Sequence, residues 1–289
     1  MAIILVLTAS YMVAEVVGGL MSGSLALLAD AGHMLSDAAA IGLALFAMWM
    51  ADRPATAQRT YGYQRTEILA ALVNGSALLA IAGYIIFEAI ERFRHPPVVQ
   101  AKLMMAVAAG GLLMNIVALL VLSRDRHQSL NTRGAWLHVI SDALGSVGAI
   151  ASGALIWAFG WAWADPLASV IIAVLVVHSA WALLKETVAV LMETAPAHID
   201  VDELRQALIA DDEVEAVHDL HVWTITSGLV CLSAHVVTHA SGDDAQRVLA
   251  RLTGLANDDF HIGHVTIQLE HESYEHACHP CAPPSATAA

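Results

Sequence analysis

The sequence predicts an α-helical membrane protein with six transmembrane helices, followed by a C-terminal cytoplasmic domain of mixed α and β structure. Two bulk properties indicate the membrane part: 57% of the 289 residues are hydrophobic, and the mean hydropathy is +0.63. Charge indicates the second part, because from position 195 onward 15 Asp and Glu stand against three Lys and Arg. Such an acidic domain argues against nucleic acid as a partner and is compatible with gathering cations.

Six apolar runs have the length of roughly 20 residues that crossing a bilayer requires. They cover positions 3–20, 25–50, 67–90, 102–122, 135–159 and 163–184. No charged leader precedes the first run and apolar sequence continues after it, so we expect no cleaved signal peptide.

Basic residues in the connecting segments predict how the spans are oriented. The segments after the second, fourth and sixth runs hold seven Lys and Arg, against three on the opposite side. The positive-inside rule then places the first set in the cytoplasm, and an even number of spans places both termini there. We therefore expect a multi-pass protein of the cell (inner) membrane.

Two copies of a His-x-x-x-Asp pattern stand inside these runs, His33 with Asp37 and His138 with Asp142. Residues four apart share one face of a helix, so each imidazole and its carboxylate can converge on one ion. Ionisable residues inside a membrane usually serve a function, although hydrogen-bonded contacts between helices are the simpler alternative. Two His and two Asp supply the four N and O ligands of a tetrahedral Zn²⁺ site.

This ligand set predicts a transport mechanism. Two carboxylates and two neutral imidazoles bring bound Zn²⁺ near zero net charge, which lowers the cost of burying the ion. Metal binding needs unprotonated His, whereas the empty site attracts protons, so zinc and protons exchange by alternating access. Cd²⁺ and Co²⁺ are further candidate substrates.

We thus expect a transporter and not an enzyme. Two other functions remain as alternatives. A membrane-embedded metal-dependent hydrolase would use the same ligands, but four protein ligands leave no open position for a reacting water. A membrane metal sensor would report cytoplasmic zinc through the acidic domain. That role does not need ligands within the membrane.

The segment after Pro196 has the pattern of a small two-layer domain with the order α-β-β-α-β. The predicted elements are a helix at 200–209, strands at 214–224 and 229–238 around Ser227-Gly228, a helix at 245–255 and a strand at 265–269. A domain of about 80 residues is small, which makes pairing with a second copy favourable. We divide the chain into a membrane domain (1–194), a cytoplasmic domain (195–272) and a flexible tail (273–289).

The three cysteines do not form a disulfide framework. Cys231 lies in the second predicted strand and is interpreted as a small buried hydrophobic residue. Cys278 and Cys281 form a C-x-x-C motif within His276-Ala-Cys-His-Pro-Cys281. In a reducing compartment this motif is a candidate metal site, with a disordered chain end as the alternative.

Three further motifs complete a resemblance to a known family. They are Tyr61-Gly-Tyr-Gln-Arg-Thr-Glu-Ile-Leu-Ala-Ala71, His218-Asp-Leu-His-Val-Trp223 and Thr266-Ile-Gln-Leu-Glu270. With the six spans and the paired His-x-x-x-Asp patterns, they resemble the cation diffusion facilitator family, of the bacterial cobalt-zinc-cadmium resistance type.

The resemblance implies a homodimeric zinc/proton antiporter with ferredoxin-like cytoplasmic domains, in which Zn²⁺ is both the substrate and a ligand of the cytoplasmic domain. It implies a transport site of His33, Asp37, His138 and Asp142. It also implies cytoplasmic metal ligands at His218, His235 and Glu270, with His264 one place from the position of a family histidine.

Other polar residues receive simpler interpretations. Within the spans, Glu15, Asn74, Glu88 and Asn115 are candidates to line a path or to pair with one another. Asp30 has a different helical angle from His33 and is left out of the ligand set, although a hydrogen bond to His33 stays open. Seven further histidines are expected to be structural or solvated: His95, His178, His198, His221, His239, His261 and His271.

Overall fold

The computed structural model describes residues 2–123 and 130–271, and for 2–9, 37, 121–123, 130–138 and 141 it gives the backbone alone. The chain divides into two compact units, the first formed by 2–46 and 70–185 and the second by 47–69 and 186–271. Six long helices come first: α1 (Ala2–Ser22), α2 (Leu25–Ala51), α3 (Thr66–Arg94), α4 (Ala101–Ser123), α5 (Leu130–Phe159) and α6 (Ala164–Leu191).

Each predicted apolar run falls on one of these helices. In their described residues, five helices carry a stretch that is long and apolar enough to cross a membrane: Leu25–Ala51, Thr66–Arg94, Ala101–Leu120, Asp142–Phe159 and Ala164–Leu191. The first predicted run falls on α1, a helix of 21 residues. The fifth helix begins at Leu130 rather than at position 135, which places His138 more than two turns inside it.

Small side chains let the helices of the first unit pack closely, and alanine is the commonest residue in both of its cores. One core joins α2, α3 and α6 and contains Leu25, Ala29, Leu78, Ala82, Ile85, Ala89, Ala173, Val176 and Ala180. The other joins α2, α4 and α5 and contains Ala26, Leu27, Met104, Ala108 and Ala149. Helix α2 contributes to both cores and therefore links α3 and α6 to α4 and α5.

A carboxylate from α6 caps the N-terminus of α2. Asp165 is fully buried and accepts hydrogen bonds from two backbone N–H groups of α2, at 2.8 and 3.2 Å, and from the Ser24 hydroxyl at 2.6 Å. The Arg92 guanidinium of α3 lies 3.7 Å from the same carboxylate. This cap satisfies N–H groups that a helix start leaves without partners, and it ties α2, α3 and α6 together at one end.

The second unit contains α7 (Val201–Ile209), β1 (Val214–Thr226), β2 (Leu229–Thr238), α8 (Asp243–Asp258) and β3 (His264–Glu270). The predicted α-β-β-α-β order is therefore confirmed. The sheet has the order β1-β2-β3, with β1 and β2 antiparallel and β2 and β3 parallel. Gly228 has a φ of 79° in the two-residue turn between β1 and β2, a conformation that glycine adopts without strain.

One hydrophobic core holds the helices of this unit against the sheet. The buried side chains include Leu204 and Leu208 from α7, Leu232 and Val236 from β2, and Leu252 from α8. Asp200 accepts hydrogen bonds from two backbone N–H groups at the start of α7, at 2.9 and 3.1 Å. The apolar spacing that predicted each helix is thus the face that each helix buries.

The segment 47–69 also contacts the sheet of this second unit. Glu67 accepts hydrogen bonds from the hydroxyl groups of Thr226 and Ser227, the latter at 2.8 Å, next to the β1–β2 turn. Arg65 forms an ion pair with Glu193 at 2.8 Å. The connection between α2 and α3 is therefore part of the same compact body as the strands.

Candidate metal sites

The first candidate site lies between α2 and α5. His33 Nε2 lies 3.8 Å from Asp142 Oδ1, and the two side chains are 20% and 8% exposed. These residues come from different copies of the His-x-x-x-Asp pattern and are 109 positions apart in the sequence. The structure thus brings together half of the predicted four-ligand set.

The other half of the set falls where the structure gives the backbone alone. Asp37 stands one turn beyond His33 in α2, and His138 stands one turn before Asp142 in α5. Their side chains lie outside the described residues. Their predicted role as ligands stays a prediction.

A cavity of about 570 Å³ reaches His33 from between α2, α5 and α6. Its lining is largely apolar, with Asp30 and His33 among the polar side chains. Asp30 is 3% exposed and lies against α5, because a Cβ added to Gly145 would stand 2.9 Å from its Oδ1. Asp30 therefore faces the same space as His33, although the sequence placed it outside the ligand set.

The second candidate site is a cluster of two histidines and one glutamate on three adjacent strands. His218 Nε2 lies 3.0 Å from Glu270 Oε2, and His235 Nδ1 lies 2.6 Å from Glu270 Oε1. One potential ligand atom from each residue lies within 4.8 Å of the others. Two nitrogen donors and one carboxylate oxygen are suitable ligands for Zn²⁺.

Strand register explains why this cluster forms. His218 of β1 is paired with His235 of β2, and His235 is paired with Gln268 of β3. Glu270 stands two positions beyond Gln268 and therefore points to the same face of the sheet. The Gln268 side chain also donates a hydrogen bond to Glu270 at 2.8 Å and helps to fix its carboxylate.

Two opposing effects act on the Glu270 carboxyl. Burial raises its pKa, while hydrogen bonds from His235, His218 and Gln268 lower it, and the pKa ends below its usual range. The carboxyl is therefore ionised at neutral pH and is ready to bind a cation.

A β-bulge adds Asp219 to the surroundings of the cluster, which the sequence did not predict. Between His218 and His221, β1 advances three residues while β2 advances two, and Asp219 has a φ of 50°. Asp219 lies 2.9 Å from His221 Nε2 and 3.7 Å from His235 Nε2. The bulge thus turns His221, predicted to be structural or solvated, toward a carboxylate.

One further predicted ligand, His264, lies apart from this cluster, and two others lie outside the described residues. His264 is paired with Cys231, four positions along β3 from Gln268, and its exposed ring packs edge-on against Tyr61 with centroids 5.7 Å apart. The structure therefore does not bring His264 to the other three residues within one chain. Cys278 and Cys281 lie outside the described residues, whereas Cys231 is buried as expected.

Both parts of the chain match family models. Residues 1–192 match the cation efflux transmembrane domain, and residues 196–272 match the cytoplasmic domain of cation efflux proteins. The chain belongs to the cation efflux family. The resemblance to cation diffusion facilitators is confirmed, and the chain is a multi-pass membrane protein.

Several relatives within this family match most of the chain. A cadmium, cobalt and zinc/H⁺-K⁺ antiporter of Bacillus subtilis is 45% identical over 94% of this chain and 88% of its own length. The metal cation efflux system protein CzcD of Cupriavidus metallidurans is 44% identical over 93% of this chain and 85% of its own. The zinc transporter ZitB of Escherichia coli is 45% identical over 92% and 85%.

Proposed function

We propose that this chain is a zinc/proton antiporter that exports Zn²⁺ from the cytoplasm through the site formed by His33, Asp37, His138 and Asp142. The observation that carries the proposal is the approach of His33 to Asp142 at 3.8 Å, since each belongs to a different copy of one pattern. Two ligand atoms on one tetrahedral Zn²⁺ are about 3.3 Å apart when each bond is about 2.0 Å. A small closure of α2 on α5 therefore suffices for joint coordination.

The proposed topology of six spans supports the same ligand set. In that topology α2 and α5 run in opposite directions across the membrane. One turn after His33 in α2 and one turn before Asp142 in α5 then lie at the same level, so positions 37 and 138 stand level with each other when positions 33 and 142 do. The spacing thus favours four ligands on one ion rather than two separate pairs.

The nature of the ligands supports exchange for protons. Imidazole binds metal only when it is unprotonated, and its pKa lies near physiological pH. The names of the Bacillus and Escherichia relatives include zinc, and the Bacillus name includes cadmium, cobalt and protons. These names favour transport over the hydrolase and sensor alternatives, and they extend the proposed substrates to Cd²⁺ and Co²⁺.

We propose a regulatory zinc site at His218, His235 and Glu270. The ring nitrogens of His235 and His218 lie 2.6 and 3.0 Å from the Glu270 carboxylate oxygens. For these atoms to bind one ion together, the distances must lengthen by a few tenths of an ångström. The match to the cytoplasmic cation efflux domain, with its α-β-β-α-β order, supports a ferredoxin-like fold.

We further propose a homodimer in the cell (inner) membrane, with both termini in the cytoplasm. The proposed domains are 1–194, 195–272 and 273–289. Cys278 and Cys281 are proposed to bind metal.

Zinc flux in proteoliposomes tests the transport proposal. Purified protein is reconstituted, and a pH gradient that drives protons into the vesicles is imposed. Zinc movement is then followed with and without an uncoupler. We expect uphill zinc movement that stops when the gradient collapses and that is absent in Asp142→Ala. Asp52→Ala, at an exposed position after α2, is the matched control and keeps full flux. Uphill movement in Asp142→Ala would contradict the four-ligand site.

A further inference from the structure

Helix α1 contains one acidic residue, Glu15, whose side chain is 1% exposed. Its surroundings are revealed by Gly111 of α4, because a Cβ added there would stand 2.7 Å from Glu15 Oε1. The same Cβ would stand 3.2 Å from the Ser146 hydroxyl of α5. Glu15 is therefore packed where α1, α4 and α5 meet, and it is not one of the proposed metal ligands.

The protein provides little hydrogen bonding for a charge on this carboxyl group. Among the described residues, neither Oε2 of Glu15 nor the Ser146 hydroxyl has a hydrogen-bond partner. Tyr11, one turn earlier in α1, donates its hydroxyl proton to the carbonyl oxygen of Val107. A tyrosine has a single hydroxyl proton, so Tyr11 cannot also donate to Glu15.

The sequences of the helices around Glu15 place no Lys or Arg at its level. The sequences of α1, α2, α4 and α5 contain one Lys and one Arg. Lys102 stands nine positions before Gly111 in α4, and Arg133 stands nine positions before Asp142 in α5. The groups that act on Glu15 electrostatically include two further acidic residues, Asp30 of α2 and Asp142 of α5. An ionised Glu15 in the apolar interior would be costly, and a proton or a nearby cation removes that cost.

We propose that Glu15 carries the proton that is exchanged for the metal ion. This inference rests on the proposed antiport. When a divalent cation enters the site that contains Asp142, its charge offsets the surrounding carboxylates and Glu15 releases its proton to water. When the metal leaves, Glu15 takes up a proton again. The coupling is reciprocal. Metal binding lowers the proton affinity of Glu15, and protonation of Glu15 lowers the affinity for metal by the same factor.

The titratable groups that surround Glu15 fit this role. Tyr11 on its own helix is occupied with Val107, α2 contributes Asp30, and α5 contributes Asp142. At the contact with α4 the facing residue is Gly111, which has no side chain to titrate. Asp142 belongs to the proposed metal site, so metal binding there changes one of the two charges that act on Glu15.

Two transport modes separate proton coupling from metal movement. Zinc uptake driven by a pH gradient needs both, whereas exchange of labelled for unlabelled zinc at equal pH needs only metal movement. Glu15→Gln keeps the size and neutrality of the protonated residue but cannot release a proton. We expect gradient-driven uptake in this variant to fall at least about tenfold while zinc–zinc exchange stays within about twofold of wild type.

Matched variants make the result decisive. Glu186→Gln removes a carboxylate at an exposed position of α6 and should keep both modes. Glu15→Asp restores a group that can carry a proton and should recover part of the gradient-driven uptake.

Three outcomes would contradict the inference. Wild-type gradient-driven uptake in Glu15→Gln would overturn it. Loss of both modes in Glu15→Gln and Glu15→Asp alike would also overturn it, in favour of a role in folding. A wild-type protein that exchanges zinc but shows no gradient-driven uptake would instead overturn the proposed antiport.

Discussion

The two candidate metal sites use the same kinds of ligand but hold them differently. In the first unit, which contains the membrane helices, His33 and Asp142 project from two helices and stand 3.8 Å apart. In the second unit, His218, His235 and Glu270 project from neighbouring strands and are already joined at 2.6 and 3.0 Å. Backbone pairing fixes the spacing between strands, whereas helices touch only through side chains and can shift against each other.

This difference suits the two proposed roles. A site that must release its ion to either side of a membrane benefits from ligands on elements that move, because closing and opening change its affinity. A site that senses zinc benefits from ligands that are already in place, because less ordering accompanies binding. We therefore expect substitutions to affect the two sites differently.

The largest expected effect concerns the fixed end of the membrane unit, where Asp165 caps α2. Asp165→Ala removes a buried carboxylate and leaves Arg92 and the N–H groups of α2 without it, which should cost about 3–5 kcal/mol of unfolding free energy. Denaturant unfolding in detergent measures this loss. Asp165→Asn keeps an accepting oxygen and should lose less, while Asp52→Ala at an exposed position should lose almost nothing. Equal stability of Asp165→Ala and Asp52→Ala would mean that this end is not held by the cap.

The same substitution in the two sites compares their roles directly. His33→Ala removes one proposed ligand of the transported ion and should lower zinc flux at least about 100-fold. His218→Ala removes a ligand of the fixed cluster and should leave most of the flux at saturating zinc. Both fluxes are measured in proteoliposomes that contain equal amounts of inserted protein. A similar loss in the two variants would mean that the cytoplasmic cluster is part of the transport path.

Zinc titration of the full chain tests the cluster alone. In an Asp142→Ala background, which removes a proposed ligand of the membrane site, His218→Ala combined with His235→Ala should weaken the remaining zinc binding at least about tenfold. Calorimetry gives the affinity. His198→Ala, at an exposed position, is the control and should bind as its background does. If the double variant binds zinc unchanged, the cluster is not the second site.

The smallest expected effect is the pH dependence of Glu270. Because its folded-state pKa is lowered, its contribution to stability is present above the unfolded-state pKa of about 4.3 and disappears as the pH falls through the folded-state value. Without metal, wild type should therefore have a higher unfolding temperature than Glu270→Gln at neutral pH. This difference in unfolding temperature should become smaller in acid. A gap that widens below about pH 4 would contradict this sign.

Periodicity in the sequence was enough to predict where most helices and strands lie. The predicted strand 229–238 matches β2 to the residue, and the predicted helix 200–209 differs from α7 only at its capping residue, Asp200. These elements are regular, so their apolar spacing reflects which face is buried. The residues that form the cytoplasmic cluster were found through the family resemblance and not through spacing alone.

The features that sequence reasoning missed depend on irregular or distant contacts. Asp219 approaches His235 because of a bulge, and its only signal was the apolar spacing of three at Val214, Val217 and Leu220, where a regular strand has two. Asp165 acts on Ser24, 141 positions away, which no local pattern predicts. Neither residue could be assigned a role before the packing of the chain was known.

The close contact at Gly111 predicts how α4 tolerates amino-acid changes. Any side chain there would meet the Glu15 carboxylate at 2.7 Å, the Tyr11 ring at 2.9 Å and the Ser146 hydroxyl at 3.2 Å. By contrast, a Cβ on Gly83 or Gly148 would meet nothing within 4 Å. In a library that replaces every residue and selects for growth in toxic zinc, position 111 should accept no substitution, whereas 83 and 148 should accept alanine. Close packing alone is therefore expected to constrain position 111, where the residue has no side chain.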